Sequence, residues 1–282
     1  MSRLRSISGP LLATLPLALG SFALRFLRWR LLLERSGHPI ALSSFSAYLA
    51  GFAFTASPGK AGELIRIRYF LRQGVPAART ISAFVFERAC DLAVVLGLAA
   101  VVAVLVPAFA LLAVVIAAIL AAIVLCARAP LVLRLLRRGI HVRAPGHWIA
   151  RAAAALLDGL AGVRPLLAWQ TVRPSLGLGA LAWLLPSIAF GVLCKALGIS
   201  LPWWTLIGLY PAAMLIGALS FVPGGLGTTE AAIVVLLGTL GIDFPDAITV
   251  AIAIRLATLW VSIVLGMACL AWLELRPALA NR

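Results

Sequence analysis

Long stretches without a single charge decide what this chain can fold into. Nineteen uncharged residues separate Arg5 from Arg25, 24 separate Arg35 from Lys60, and 21 separate Arg173 from Lys195. No charge interrupts Leu92 to Ala127, a run broken only by Pro107. From Ala196 to Ile242 the sole charged residue is Glu230, and from Ala247 to Leu273 it is Arg255. A bilayer core takes about 20 apolar residues per helix. The pattern predicts five spans, with Leu92–Ala127 counted as two, and leaves two further apolar segments, one before Pro58 and one around Pro223. The chain is 63% hydrophobic, against roughly 45–50% in soluble domains. A water-soluble core of this length cannot hide that much apolar surface, whereas lipid accepts it.

The net charge of +15 comes from 22 arginines, two lysines and nine acids. In a soluble chain this balance would indicate nucleic acid. Here the basic residues flank apolar runs, which predicts membrane topology and contact with anionic lipid, and no nucleic-acid partner. Arginine suits bidentate phosphate binding, although GC-rich coding produces the same bias. Cys90, Cys126, Cys194 and Cys269 each stand alone in apolar sequence, so neither a disulfide nor zinc is expected. His38, His141 and His147 show no ligand spacing. No metal and no cofactor is expected. The N-terminal apolar stretch runs into Leu27-Arg28-Trp29 with no small-residue cleavage site, and reads as a retained helix.

Two parts of the sequence resemble each other. The first holds Pro58, Gly59, Lys60, Gly62 and Glu63, then Gly74 and Arg88; the second holds Pro223, Gly224, Gly225, Gly227 and Glu230, then Gly241 and Arg255. Glu63 to Gly74 and Glu230 to Gly241 are both 11 residues, and Gly74 to Arg88 and Gly241 to Arg255 are both 14. Acids are scarce in this chain, so their match at one offset carries the most weight. The pattern predicts repeats over about 10–127 and 174–273, joined by a basic cytoplasmic linker over 128–173. Duplicated transporter folds place their site where the repeats meet.

The basic segments Arg25–Arg35, Lys60–Arg79 and Arg128–Arg151 all favour the cytoplasm. They reach it together only if Ala41–Ser57 enters the membrane and returns, bending at Pro58-Gly59. The segment from Trp203 to Leu240 would do the same at Pro223-Gly224-Gly225, from the opposite face. The fold expected is therefore an all-α, polytopic transmembrane bundle forming a single membrane domain over 1–282, built of two inverted repeats, each with a re-entrant Pro-Gly hairpin. The simpler alternative is that both segments cross. Trp148–Trp169 reads as an interfacial amphipathic helix or a linker helix. Trp29, Trp148, Trp203, Trp204 and Trp272 fall where interfacial anchors belong.

Arg255 lies nine residues beyond Asp246, well below the surface at about 1.5 Å per residue. An arginine there costs roughly 2.5–3.5 kcal/mol on insertion scales, so it needs a partner or a wet cavity. Glu230 has the same need, and the two predict an ion pair, with Glu63 and Arg88 as its counterpart in the first repeat. Such pairs serve equally to pin helices or to line a polar path. The glycine-rich bends offer free N–H groups and helix-dipole charge to a phosphate or carboxylate. Lys60, Arg66, Arg68 and Arg72 add positive charge to the first bend; a solvated, positive-inside face accounts for them equally. Helical spacing groups Glu63 with Arg66, and Arg88 with Glu87 and Asp91. Ser57 and Thr228 read as turn or cap residues.

Leu27-Arg28-Trp29-Arg30, Pro58-Gly59-Lys60-Ala61-Gly62-Glu63, Glu87-Arg88 with Asp91, and Pro223-Gly224-Gly225-Leu226-Gly227 with Glu230 together resemble the transmembrane region of lysylphosphatidylglycerol synthases and the wider flippase-like family. The resemblance covers most of the chain. It implies movement of lipids, such as aminoacylated phospholipids or lipid-linked precursors, across the bacterial cytoplasmic membrane. The family usually has a further span before the Leu-Arg-Trp stretch, where this sequence has Met1 to Pro10. With no soluble aminoacyl-transferring domain in the sequence, the resemblance implies translocation and not synthesis. Three expectations follow: a translocator of lipids with anionic or aminoacylated headgroups; a membrane-embedded transferase using Glu63, Glu230 or Asp91; or a non-catalytic partner of a lipid-modifying enzyme. Nothing in the sequence sets an oligomeric state.

Overall fold

The computed structural model describes residues 2–105, 108–129, 132–133, 135–136, 138 and 148–280, and every element among them is helical. Helix α1 covers Ser2–Arg35 and continues through Pro10 and Pro16. Two short helices, α2 (Phe45–Ala50) and α3 (Arg66–Leu71), flank 3-10 turns at Gly51–Phe54 and Pro58–Ile65. Helices α4 (Ala77–Leu105) and α5 (Ala108–Arg128) fall on the two sides of the expected break at Pro107. They are followed by α6 (Trp148–Val163), α7 (Trp169–Ala196), α8 (Trp203–Leu219), α9 (Thr228–Thr239), α10 (Phe244–Arg255) and α11 (Val261–Ala280). A π-helical turn, Leu256–Trp260, joins the last two. The expected positions of His141, His147, Arg143 and Arg282 lie outside the described residues.

Among the described residues, three helices are long and apolar enough to cross a membrane: Gly9–Arg35, Trp169–Ala196 and Phe244–Leu275. Shorter apolar helices run over Leu42–Phe54, Ala113–Cys126 and Trp203–Leu219. The protein is an integral membrane protein. Its cysteines are all free.

Helices from the two halves of the sequence interleave. Helix α1 lies along α7, α4 packs on α8, and α11 lies against α2 and the Gly51–Phe54 turn. Two apolar cores result. One gathers α4 and α7 through α10 around Phe190, Leu193, Leu209 and Ile233; the other gathers α1 through α4 and the chain near Leu166 around Trp29, Tyr48 and Phe70. Helix α6 packs along the start of α4, with Gly159 against Ile81 and Gly162 against Ser82, so it is a structural member of the bundle.

Lipid gives helices no hydrophobic drive to associate, so small residues that permit close approach matter most. Gly266 of α11 shows this: a Cβ there would stand 2.2 Å from the Ala53 backbone nitrogen. Gly266→Ala is expected to destabilise the protein by about 1–3 kcal/mol through overpacking, even though alanine favours a helix by about 1 kcal/mol. Thermal unfolding in detergent reads this directly, and an unchanged midpoint would show that α11 does not press on the turn.

Two sequence expectations need correction here. Arg25 and Arg28 are not water-facing, positive-inside residues: they are 8% and 0% exposed, inside the bundle. Trp29 is no interfacial anchor but is fully buried, whereas Trp203, Trp204 and Trp272 are about half exposed. Both errors share a cause. Near a helix end, position along the sequence does not say which face of the helix meets a partner.

Candidate functional site

The two Pro-Gly segments meet. The Gly224 Cα is close enough to Ala56 that a Cβ on it would stand 3.1 Å from the Ala56 Cβ. Gly224, Gly225 and Gly227 all have left-handed φ values, of 64°, 62° and 78°, which suit glycine alone without strain. Lys60 and Phe221 adopt the same region at 56° and 55°, where a side chain costs on the order of 1–3 kcal/mol. Each of these two residues adjoins one bend, and both line the same cavity.

That cavity has a volume of about 330 Å³ and lies at the seam between the two cores. Its apolar lining includes Ala18, Phe22, Leu92, Val95 and Pro186; its charged lining comprises Arg25, Lys60, Glu63, Arg88, Asp91 and Arg255. Ligand pockets span roughly 300–1,000 Å³, so the space suits a polar headgroup.

One side of the cavity is backed by a buried charge network on α1, α4 and the first bend. Arg28 donates through Nη2 to Glu87 Oε1 at 3.0 Å and to Asp91 Oδ1 at 2.7 Å. Arg25 donates to Asp91 Oδ2 at 3.2 Å and lies over the Trp183 ring. Trp183 Nε1–H also donates to Asp91, at 3.1 Å, and the Tyr48 hydroxyl donates to Glu87, at 3.0 Å. Arg88 stands 3.2 Å from Glu87 and 3.1 Å from Asp91, the neutralising role its spacing predicts.

Glu63 accepts from Arg66 at 2.6 Å and from the Thr55 hydroxyl at 2.9 Å. The i,i+3 grouping of Glu63 with Arg66 is thus present, but the expected Glu63–Arg88 pair is not formed among the described residues. Arg88 adjoins Glu87 and is one turn from Asp91 on its own helix, and Glu63 is one turn from Arg66, so local partners win. The guanidinium of Arg66 is fully buried against Tyr48 and Trp29, at 4.5 and 4.8 Å from their ring centres. It stands behind the cavity wall.

The other side holds the predicted pair. Arg255 Nε donates to Glu230 Oε1 at 2.8 Å, and Nη2 donates to the Gly224 carbonyl. The side chain on α10 therefore fastens both α9 and the second bend. Directly after Arg255 comes the π-helical turn, a feature common at functional sites, which brings Thr258 to the cavity wall beside Tyr210.

Of the residues expected to bind substrate, Lys60, Glu63, Arg88, Gly224, Gly225 and Arg255 line the cavity. Glu230 supports Arg255, while Pro223 and Gly227 are exposed at the bend. Pro58 and Gly59 open the 3-10 turn at Pro58–Ile65. The backbone N–H of Gly62 is not free for a ligand, since it donates to the Ser57 hydroxyl at 2.6 Å; Ser57 precedes the Pro58–Ile65 turn but makes no side-chain capping bond to its first residues. Sequence reasoning missed Arg25, Arg28, Tyr48, Trp183 and Tyr210. Arg25 and Arg28 are spaced i,i+3, so they share a helix face, and that was the available signal. Among the described residues no group of His, Cys, Asp and Glu is arranged to hold a metal.

Fold and site together define an integral membrane protein with a partly open, charge-lined cavity between its two cores. The chain belongs to the family of the lysylphosphatidylglycerol synthase TM region, whose model matches residues 1–266. Comparison with curated proteins and with solved structures gives no match.

Proposed function

We propose that this protein translocates a phospholipid or a lipid-linked precursor across the bacterial cytoplasmic membrane. The observation that carries the reading is the shared cavity: both Pro-Gly bends and charges from both halves of the sequence line one space, in a family associated with membrane lipids. In this reading the bends are the tips of re-entrant hairpins entering from opposite faces of two inverted repeats. A headgroup occupies the charged wall while its acyl chains leave past the exposed Phe221 and Val222. The transferase alternative asks for an acid free to exchange protons, yet Glu63, Asp91 and Glu230 are each engaged by arginine.

Ala218 is an exposed residue of the cavity lining, so a large side chain there obstructs the space at little cost to folding. Reconstituted protein is expected to accelerate lipid exchange between leaflets, and Ala218→Trp to slow it about tenfold or more, the equivalent of roughly 1.4 kcal/mol, with thermal stability retained. A leaflet-resolved assay in vesicles of phosphatidylglycerol and phosphatidylethanolamine reads both. Exchange no faster than in empty vesicles would overturn the proposal and favour a non-catalytic partner.

A further inference from the structure

We infer that the cavity takes a lipid whose headgroup is a phosphate of net negative charge, and that it disfavours headgroups made cationic by aminoacylation. This rests on the translocator reading of the same cavity and goes beyond it in choosing the substrate class.

The cavity and the network behind its walls hold six cations, Arg25, Arg28, Lys60, Arg66, Arg88 and Arg255, against four acids, Glu63, Glu87, Asp91 and Glu230. Two positive charges are in excess. Every acid already has an arginine: Arg66 holds Glu63, Arg28 holds Glu87 and Asp91, and Arg255 holds Glu230. An incoming ammonium group would find no carboxylate to itself.

Among the charged groups of the described residues, four buried guanidinium nitrogens lack an acceptor (Arg28 Nε and Nη1, Arg66 Nη1 and Arg88 Nε), against two carboxylate oxygens without a donor, Glu87 Oε2 and Glu230 Oε2. Of these residues Arg88 alone lines the cavity. Lys60 has no ion-pair or hydrogen-bond partner among the described residues; its charged neighbours in the cavity lining are Arg25 and Arg88 and the acids Glu63 and Asp91, both of which are already held by arginine. Its backbone sits in the left-handed region at a φ of 56°, so the first bend presents this lysine to the space at the expense of local strain. Buried charge in excess draws a counter-ion, and phosphate oxygens supply both the charge and the missing acceptors.

The test uses the full chain in a neutral detergent. Its probes are short-chain phosphatidylglycerol, the same lipid bearing a lysyl ester, whose ammonium groups outnumber its phosphate, and inorganic phosphate. Phosphatidylglycerol is expected to bind at least about tenfold more tightly than its lysyl ester; Lys60→Gln is expected to lose about tenfold of that affinity and Lys60→Arg to keep it. Competition by inorganic phosphate at similar affinity would uphold the anion site and assign it to free phosphate. Equal or tighter binding of the lysyl ester, or wild-type affinity in Lys60→Gln, would overturn the inference. The underlying reading fails separately: anion-selective, Lys60-dependent binding with no acceleration of leaflet exchange would leave the site standing and remove the translocator. Exchange fastest for the lysyl ester would do the reverse.

Discussion

Arg28→Met destabilises the protein by about 3–5 kcal/mol, the cost of removing one partner from a buried ion pair. The reason is the company Arg28 keeps. It is fully buried, and a single nitrogen bonds both Glu87 and Asp91. Methionine fills the volume but leaves those carboxylates facing each other one helical turn apart, with Arg25, Arg88 and the more distant Arg66 to offset them. Glu87→Gln in the same chain removes one of the two acids and is expected to restore part of the loss. Unfolding midpoints of the purified variants, read by intrinsic tryptophan fluorescence in detergent, decide the matter. A midpoint for Arg28→Met within error of the parent would mean that the network contributes nothing to stability.

Arg255→Gln is expected to lower leaflet exchange about a hundredfold, the rate equivalent of roughly 2.7 kcal/mol, with a smaller effect on stability. This guanidinium bonds Glu230 and the Gly224 carbonyl at once, so its loss frees the second bend and leaves Glu230 unpaired in apolar surroundings. The double variant Glu230→Gln with Arg255→Gln removes the stranded charge and is expected to regain stability without regaining exchange. That split separates a pair that only pins helices from one that lines the route. Exchange at the parental rate in both single variants would exclude the pair from the mechanism.

How much of this was legible in the sequence depended on how few partners each residue had. Glu230 and Arg255 are the sole charges of two long apolar runs, so each could be matched only with the other, and the structure joins them. The first half offers five cations and three acids within reach of one another, and the repeat pattern suggested Glu63 with Arg88. Helical proximity decided otherwise, giving Glu63 to Arg66 and leaving Arg88 over Glu87 and Asp91. Arg25 and Arg28 were misjudged because a basic cluster at the end of an apolar run looks the same whether it faces water or a carboxylate. The π-helical turn after Arg255, Leu256–Trp260, had no sequence signal at all. The repeat pattern placed a site where the two parts of the sequence meet, but which side chains then line the space required the interleaving of α1 with α7 and of α4 with α8.

The span between Arg28 and its acids has a consequence for biogenesis. Asp91 lies 63 residues after Arg28 in the chain, and Trp183, which shares Asp91, lies 92 residues further on. When α1 leaves the ribosome, the acids that hold its Arg25 and Arg28 are not yet synthesised, and each bare arginine in hydrocarbon costs roughly 2.5–3.5 kcal/mol. The first helix therefore gains the partners that bury Arg28 only when α4 arrives with Glu87 and Asp91. Neutralising the first helix is thus a task shared between segments made far apart in time.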